Sequence, residues 1–341
     1  MPAEWEPQAA MWVSWPHNAD TWPENLNAAQ LEFVSFVKAI AESQIVNVMS
    51  SGSDLENAKT QLDSVSNVNT LDIETNDAWA RDYAPSFVKE VESGELAAID
   101  WYYNAWGGKY PPFEADQQVA KKVADHLNIR HLAGGLCFEG GAIEVNENGV
   151  LLTTKSCALN PNRNAGMSKD DVESILQQRL GCRSVVWLPG DVPDNKAICG
   201  DDTDGHIDQL ARFVDNETIV HAWANESDVR FAALAANVAA LRQQLPKVNL
   251  VPLMLPQPLE FCGREIPASY CNFLITNEAV IVPQFDVPED AMAVEVLGSL
   301  FESRKVVPLA SRNLAVGLGS FHCLSQQQPV LNAEFGMRNA E

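Results

Sequence analysis

The chain has 341 residues and carries 23 Lys plus Arg against 46 Asp plus Glu, a formal charge of −23. That acidic excess argues against nucleic acid or an anionic membrane as a partner, since both need basic patches, and it favours encounter with a cationic solute. Hydrophobic residues make up 46% and charged residues 20%, an ordinary globular balance, and no apolar run reaches the roughly 18 residues of a membrane helix.

From the N-terminus, the apolar pattern predicts a strand at Met11–Trp15, a helix at Leu26–Ala41 and a strand at Ile45–Met49. No Lys or Arg precedes Lys38, so the basic start of a secretory signal is missing. Next come two strands, Phe87–Val91 and Leu96–Trp101, around the turn Glu92-Ser93-Gly94-Glu95, then a helix Glu114–Leu127 and a strand Ile129–Leu132. The same order recurs. Ala142–Val145 and Val150–Thr154 precede a helix capped by Ser168 and Asp171, then Arg183–Leu188. Gln209–Val214 and Thr218–Trp223 precede a helix Ser227–Leu245 and a strand Asn249–Leu253. Cys271–Thr276 and Ala279–Pro283 precede a helix Pro288–Ser303 and a strand Lys305–Leu309.

Four ββαβ units thus start near residues 87, 142, 209 and 271, roughly 55 to 65 residues apart. Phe321–Ser325 is expected to pair with Met11–Trp15 and complete a fifth unit from both ends of the chain. The predicted fold is therefore α/β, a five-fold pseudo-symmetric α/β propeller closed by its termini. A doubly wound open sheet would alternate strand and helix, which these units do not. No linker or low-complexity tract interrupts the chain, so one domain is expected over 1–341. The seven cysteines are odd in number, scattered and without a CxxC pair, which reads as reduced thiols in a cytoplasmic protein.

Chemistry-bearing residues recur just before each hairpin. They are Asn76-Asp77-Ala78-Trp79-Ala80-Arg81-Asp82, Phe138-Glu139-Gly140-Gly141, the run Asp201 to Asp208, Ala268-Ser269-Tyr270, and Gly317 to Cys323. In a ring, matching positions face one axis, so Asp82, Glu139, His206, Asp208 and Cys323 are expected to converge. Singly, each has an ordinary explanation: a local salt bridge, a loop carboxylate, a buried imidazole or a core thiol. At matched repeat positions the functional reading is the better one. Cys with His suggests thiol nucleophilic catalysis, and several carboxylates beside them call for a cation. A planar guanidinium pairs two-pronged with carboxylates, and Asp82 and Asp208 suit that role. Zinc is the rival, but there is no H-E-x-x-H and no H-x-E with CxxC. Gly107-Gly108-Lys109 is not a phosphate loop, and Gly317-Leu318-Gly319 lacks the rest of a dinucleotide fingerprint.

The sequence also resembles the agmatine deiminases of the bacterial-type peptidylarginine deiminase family over nearly its whole length. The match runs through MPAEWEP at 1–7, WPHN at 15–18, NDAWARD at 76–82, FEGG at 138–141, LNPNRN at 159–164, TDGHID at 203–208, ASYCNF at 268–273, VPQF at 282–285 and HCLSQQQP at 322–329. The resemblance implies the pentein fold of guanidine-modifying enzymes. It implies Cys323 as nucleophile, His206 as acid and base, and Asp82 and Asp208 as guanidinium-binding carboxylates. It implies Glu139 and Asp204 for the free amine of the substrate and Trp79 against its aliphatic part, although Trp79 also suits a core. The chain departs from the family at Tyr83-Ala84-Pro85, where Thr-Gly-Pro is usual, and at Gly317-Leu318-Gly319-Ser320-Phe321, where Gly-Gly-Gly-Asn-Ile is usual. Both stretches border the expected pocket and bear on substrate choice.

The implied reaction converts agmatine to N-carbamoylputrescine and ammonia without metal or organic cofactor. Deimination of peptidyl-arginine is the alternative on the same centre, and an acidic binding module for a cationic peptide or polyamine is the non-enzymatic one. Agmatine is expected to win because Asp82 and Asp208 suffice for the guanidinium, leaving Glu139 and Asp204 for a second cation. A homodimer is the default for an enzyme of this size.

Overall fold

The computed structural model describes residues 1–330, so residues 331–341 of the domain expected over 1–341 lie outside the described residues. The fold is mixed α/β. Each predicted unit is present as an antiparallel strand pair followed by a helix and a parallel strand. Ser86–Lys89 runs antiparallel to Leu96–Tyr102, and Arg130–Cys137 adds in parallel. Glu144–Val145, Val150–Thr154 and Ser184–Leu188 repeat the order. So do Ala211–Phe213, Thr218–Trp223 and Asn249–Met254, and Leu274–Ile275, Ala279–Gln284 and Lys305–Ala310. The pattern follows from chain lengths. A short turn lets two strands pair antiparallel, whereas a parallel return needs a crossover, which the helix supplies.

Both chain ends meet in one sheet, ordered Ser325–Pro329, Gln8–Ser14, Ile45–Ser50 and Val68–Asp72. The C-terminal partner of the first strand is displaced from the expected Phe321–Ser325. Met11 pairs with Gln327 and Trp12 with Gln326, because residues up to Leu324 form the turn that carries Cys323. The helix Gly52–Leu62 and the strand Val68–Asp72 were not expected, and they widen this sheet to four strands. A hairpin of Leu259–Phe261 and Arg264–Ile266 was also not expected. The helix Leu26–Ala41 covers the terminal sheet with Phe33, Phe36, Val37 and Ile40, spaced as one helical face. Burial of each such side chain is worth about 1.5–3 kcal/mol. Phe36 stacks on Phe321 with ring centroids 4.7 Å apart, so the core grips the chain two residues before Cys323. No helix among the described residues is long and apolar enough to cross a membrane.

Candidate active site

In the units expected from Ala142, Gln209 and Cys271 the first strand of the hairpin starts later than its apolar run suggests, because a tight turn precedes it, whereas Ser86–Lys89 starts one residue before the expected Phe87. A helical turn spans Ala80–Tyr83, and 3₁₀ turns span Gly140–Ala142, Ile207–Gln209 and Tyr270–Asn272. Trp79, Glu139, His206 and Ser269 stand at their N-caps. Neighbouring turns and hairpins are tied by hydrogen bonds. The Arg81 N–H donates to the Cys323 carbonyl (3.1 Å) and the His322 N–H to the Asn272 carbonyl (3.3 Å). The Gly141 N–H donates to Asp82 (2.9 Å), the Phe213 N–H to Glu144 (2.8 Å), and the Ser269 hydroxyl to the Gln209 carbonyl (2.6 Å).

These turns bring Asp82, His206, Asp208 and Cys323 together. Cys323 Sγ lies 3.6 Å from Asp208 Oδ2 and accepts from the Asn272 amide at 3.1 Å. His206 is fully buried. Its Nδ1 is 3.7 Å from Asp82 and its Nε2 is 3.5 Å from Glu139. Those distances allow charge attraction but are long for hydrogen bonds, and neither ring nitrogen has a hydrogen-bond partner among the described residues. Asp82 is fixed by the Gly141 N–H on one oxygen and by the Trp106 indole on the other, at 2.9 Å each. Asp208 Oδ2 meets His322 Nδ1 at 2.8 Å, while Oδ1 has no partner among the described residues.

Asp82 and Cys323 form the floor of a cavity of about 560 Å³ whose wall includes Trp79, Tyr103 and Trp106. His206 and Asp208 lie beneath that floor. Five carboxylates line the space (Asp20, Asp77, Asp82, Asp116 and Asp202) against two cations, Lys109 and Arg264. Lys109 is paired with Asp204 at 2.9 Å, and Arg264 donates to the Thr21 and Val316 carbonyls. The charge left over is negative, which suits a cationic ligand.

Burial pushes the Asp82 carboxyl up to about 6, with His206 pulling the other way. Although burial opposes its charge, the Asp82 carboxylate, with Cys157 and Glu139, holds the His206 imidazolium well above the ordinary range. Burial and the carboxylates of Asp208 and Asp82 push the Cys323 thiol far up. Against burial, the hydrogen bond and charge of His322 hold Asp208 below the usual carboxylate range.

Two expectations need correction. Glu139 and Asp204 do not stand free at an amine subsite. Glu139 is fully buried, lies behind His206 and does not line the cavity. Arg163 bridges the two acids, at 2.6 Å from Glu139 and 2.8 Å from Asp204. With Lys109 also on Asp204, two cations of the chain already stand against these two acids, so neither is surplus. The acid that faces the cavity mouth from the same loop is Asp202. Burial and Asp201 push its carboxyl up to about 6, and the Tyr110 hydroxyl donates to it at 2.5 Å. Trp79 does line the cavity, packed on Trp22 at 5.4 Å. Trp106, Asn272, Asp202 and Gly141 were not singled out from the sequence. Gly141, Asp202 and Asn272 stand inside the runs FEGG, Asp201 to Asp208 and ASYCNF, without a role of their own there. Of the departures from the family pattern, Leu318 lines the cavity, as expected of a stretch bordering the pocket, while Tyr83 and Phe321 serve packing. Tyr83 hydrogen-bonds Ser14 and the Asp77 carbonyl, and Phe321 stacks in the core.

A Cβ on Gly141 would lie 2.5 Å from His206 Nδ1, 2.8 Å from Asp82 Oδ1 and 3.2 Å from Asp208 Oδ2. A methyl there wedges apart three groups that must act together. Gly141→Ala is expected to lower kcat/KM by about 10²-fold or more, as misplacements near an ångström do. Circular dichroism and steady-state kinetics on the same preparation check this. Wild-type kinetics in a folded variant would refute the close convergence.

Among the described residues, two groups of side chains have the donor types of a metal site: Glu139, Cys157 and His206, and Glu4, Glu144 and His322. In each, an arginine already sits on the carboxylates, Arg163 in the first and Arg212 in the second. The local cation is thus part of the protein.

Comparison with known proteins agrees with this geometry. The profile of the Porphyromonas-type peptidyl-arginine deiminase family matches residues 1–329. An agmatine deiminase of Pseudomonas putida is 36% identical, with 96% of this chain and 95% of that protein covered. The solved agmatine deiminase of C. jejuni with substrate bound, a Cys-to-Ser variant, superposes with a TM-score of 0.87 at 31% identity, covering 96% of this chain and 95% of that one. The Enterococcus faecalis agmatine deiminase superposes at 0.89 with 30% identity and the same coverage. A profile spanning the candidate site and relatives this similar over nearly their full length have one meaning: this chain belongs to the Porphyromonas-type peptidyl-arginine deiminase family.

Proposed function

We propose that this protein is an agmatine deiminase, hydrolysing agmatine to N-carbamoylputrescine and ammonia with Cys323 as the nucleophile. The observation that carries the reading is the meeting of Cys323, Asp82, His206 and Asp208 at the floor of an acid-lined cavity. Asp82 and Asp208 hold the guanidinium plane with its carbon over Cys323 Sγ. The resting thiol keeps its proton because it is buried and two carboxylates, Asp208 and Asp82, stand beside it. An incoming guanidinium neutralises them, which makes loss of that proton easier at the moment of need. Sulfur adds to the guanidinium carbon as the thiol proton leaves to bulk water, and the charged His206 donates a proton to the departing ammonia. The thiouronium that remains is attacked by water, one proton of which His206 takes. The C–S bond then breaks, the proton of the added hydroxyl passes to sulfur, and the thiol is restored.

Agmatine is the preferred substrate on this reading because the cavity offers its second cation a carboxylate, Asp202, while a peptide arginine would bring neutral amides to the same acids. Replacing Asp202 by Asn is expected to raise KM for agmatine about tenfold and to leave an amine-free alkylguanidine nearly unchanged, as loss of one charged hydrogen bond would. An ammonia-release assay with both compounds and an arginine-containing peptide decides it. Faster wild-type turnover of the peptide would move the assignment to peptidyl-arginine deimination.

We also infer that the five units close into one propeller forming a single domain. The hydrogen bonds that link each tight turn or hairpin to the next support this, the Arg81 to Cys323 bond joining the last unit to the first.

A further inference from the structure

The N-terminal run MPAEWEP has no place in the chemistry above, yet Glu4 is buried at the back of the site. Its Oε1 accepts from the Ile275 N–H at 2.8 Å. Its Oε2 meets Arg212 at 2.6 Å and His322 Nε2 at 2.9 Å. The other nitrogen of His322 faces Asp208 Oδ2 at 2.8 Å. Ionised carboxylates can only accept, so each ring nitrogen between them must carry a hydrogen. The imidazole is therefore clamped at both ends. Its donor to Asp208 occupies one carboxylate oxygen, the one 3.6 Å from Cys323 Sγ, and leaves Oδ1 bare. A bare oxygen on a buried carboxylate whose other oxygen lies against the nucleophile is unusual, since buried polar atoms are almost always partnered. It is explained if substrate supplies the missing donor.

We propose that Glu4 is a positioning residue: acting through His322, it sets the rotation of Asp208 so that Oδ1 faces the guanidinium beside Cys323. The proposal rests on the deiminase reading. It makes the N-terminal segment part of the binding site, although Glu4 touches no substrate. In Glu4→Gln one amide oxygen is left for three donors, the Ile275 N–H, Arg212 and His322, so the Nε2 end of His322 loses its charged acceptor and the ring is free to turn. Asp208 then loses its fixed donor. The surroundings offer no substitute acceptor of equal reach, because Glu144 is already engaged with Arg212 and the Phe213 N–H. The other charged groups facing this chain, Arg81, Arg212 and His206, cannot accept.

The test is agmatine binding by calorimetry in a Cys323→Ala parent, where no turnover intervenes. Glu4→Gln is expected to weaken binding about tenfold, the worth of a hydrogen bond between charged groups. In a Cys323→Ala, Asp208→Asn parent the same change is expected to weaken it less than twofold, because the group it positions is gone. A merely structural role would weaken both parents alike, and that result, or an unchanged Kd in the first parent, overturns the proposal. With Cys323 in place, Glu4→Gln is expected to lower kcat/KM by about tenfold. Gln44→Ala, which loosens the same segment by removing the bond to Gln8, is expected to leave it unchanged. If Glu4→Gln does not fold, His322→Gln cuts the same chain without touching Arg212 and takes its place in both parents. Absence of agmatine binding in the Cys323→Ala parent would remove the deiminase reading and this proposal together. An unchanged Kd on Glu4 substitution removes this proposal alone.

Discussion

Replacement of Cys323 by Ser is expected to abolish ammonia release from agmatine, a loss of at least ~10⁴-fold, with melting temperature close to that of the wild type. The thiol is the one soft nucleophile on the cavity floor, and a hydroxyl there keeps its proton far more tightly. The exchange changes one buried atom, so the fold has little to lose. Asn272, which donates to the sulfur, can donate equally to the serine oxygen. Mass spectrometry adds a direct reading. Wild-type protein quenched during turnover should carry a substrate-derived adduct on the peptide containing Cys323, and the variant should carry none. Appreciable turnover by the serine variant would remove Cys323 from the mechanism.

The second large effect is expected at Glu139. Its carboxylate sits 3.5 Å from His206 Nε2, and Arg163 pins it at 2.6 Å. Glu139 thus belongs behind the acid and base, where it helps to keep the imidazolium charged. Glu139→Gln should lower kcat by about 10²-fold or more, the usual worth of a general acid or base in working order. The loss should be equal for agmatine and for an alkylguanidine without the amine. An acid at the mouth of the cavity would behave differently, raising KM for agmatine alone. The variant also leaves Arg163 with Asp204 as its one carboxylate partner, so a fall in melting temperature is expected beside the kinetic change. Paired kinetics with the two guanidines separate these outcomes. A selective rise in KM for agmatine would return Glu139 to the amine subsite.

The placement of these acids shows where reading the sequence stopped. The tight turns before each hairpin were visible as polar runs at matched spacing, because strand, helix and strand leave a strong apolar rhythm. That rhythm predicted the repeat and the convergence of Asp82, His206, Asp208 and Cys323. It placed the hairpin strands too early at Ala142, Gln209 and Cys271, since a 3₁₀ turn buries apolar residues as a strand does. The helix Gly52–Leu62 leaves little periodic signal because its apolar stripe is thin, with Leu55, Ala58 and Leu62 its buried residues.

The charge partners were out of reach for a different reason. Arg163 lies 24 residues from Glu139 and 41 from Asp204, and nothing in the local sequence links them. An ion pair depends on distance in space, and periodicity carries no record of it. The same holds for Trp106 on Asp82 and for Glu4 on His322, 318 residues apart. Composition and repeat spacing determined that this protein is an acidic α/β chain whose reactive residues gather near one place. Tertiary structure alone decided which carboxylates face a ligand and which are spent on the protein's own cations. A carboxylate can bind substrate only where no arginine or lysine of the chain has reached it first.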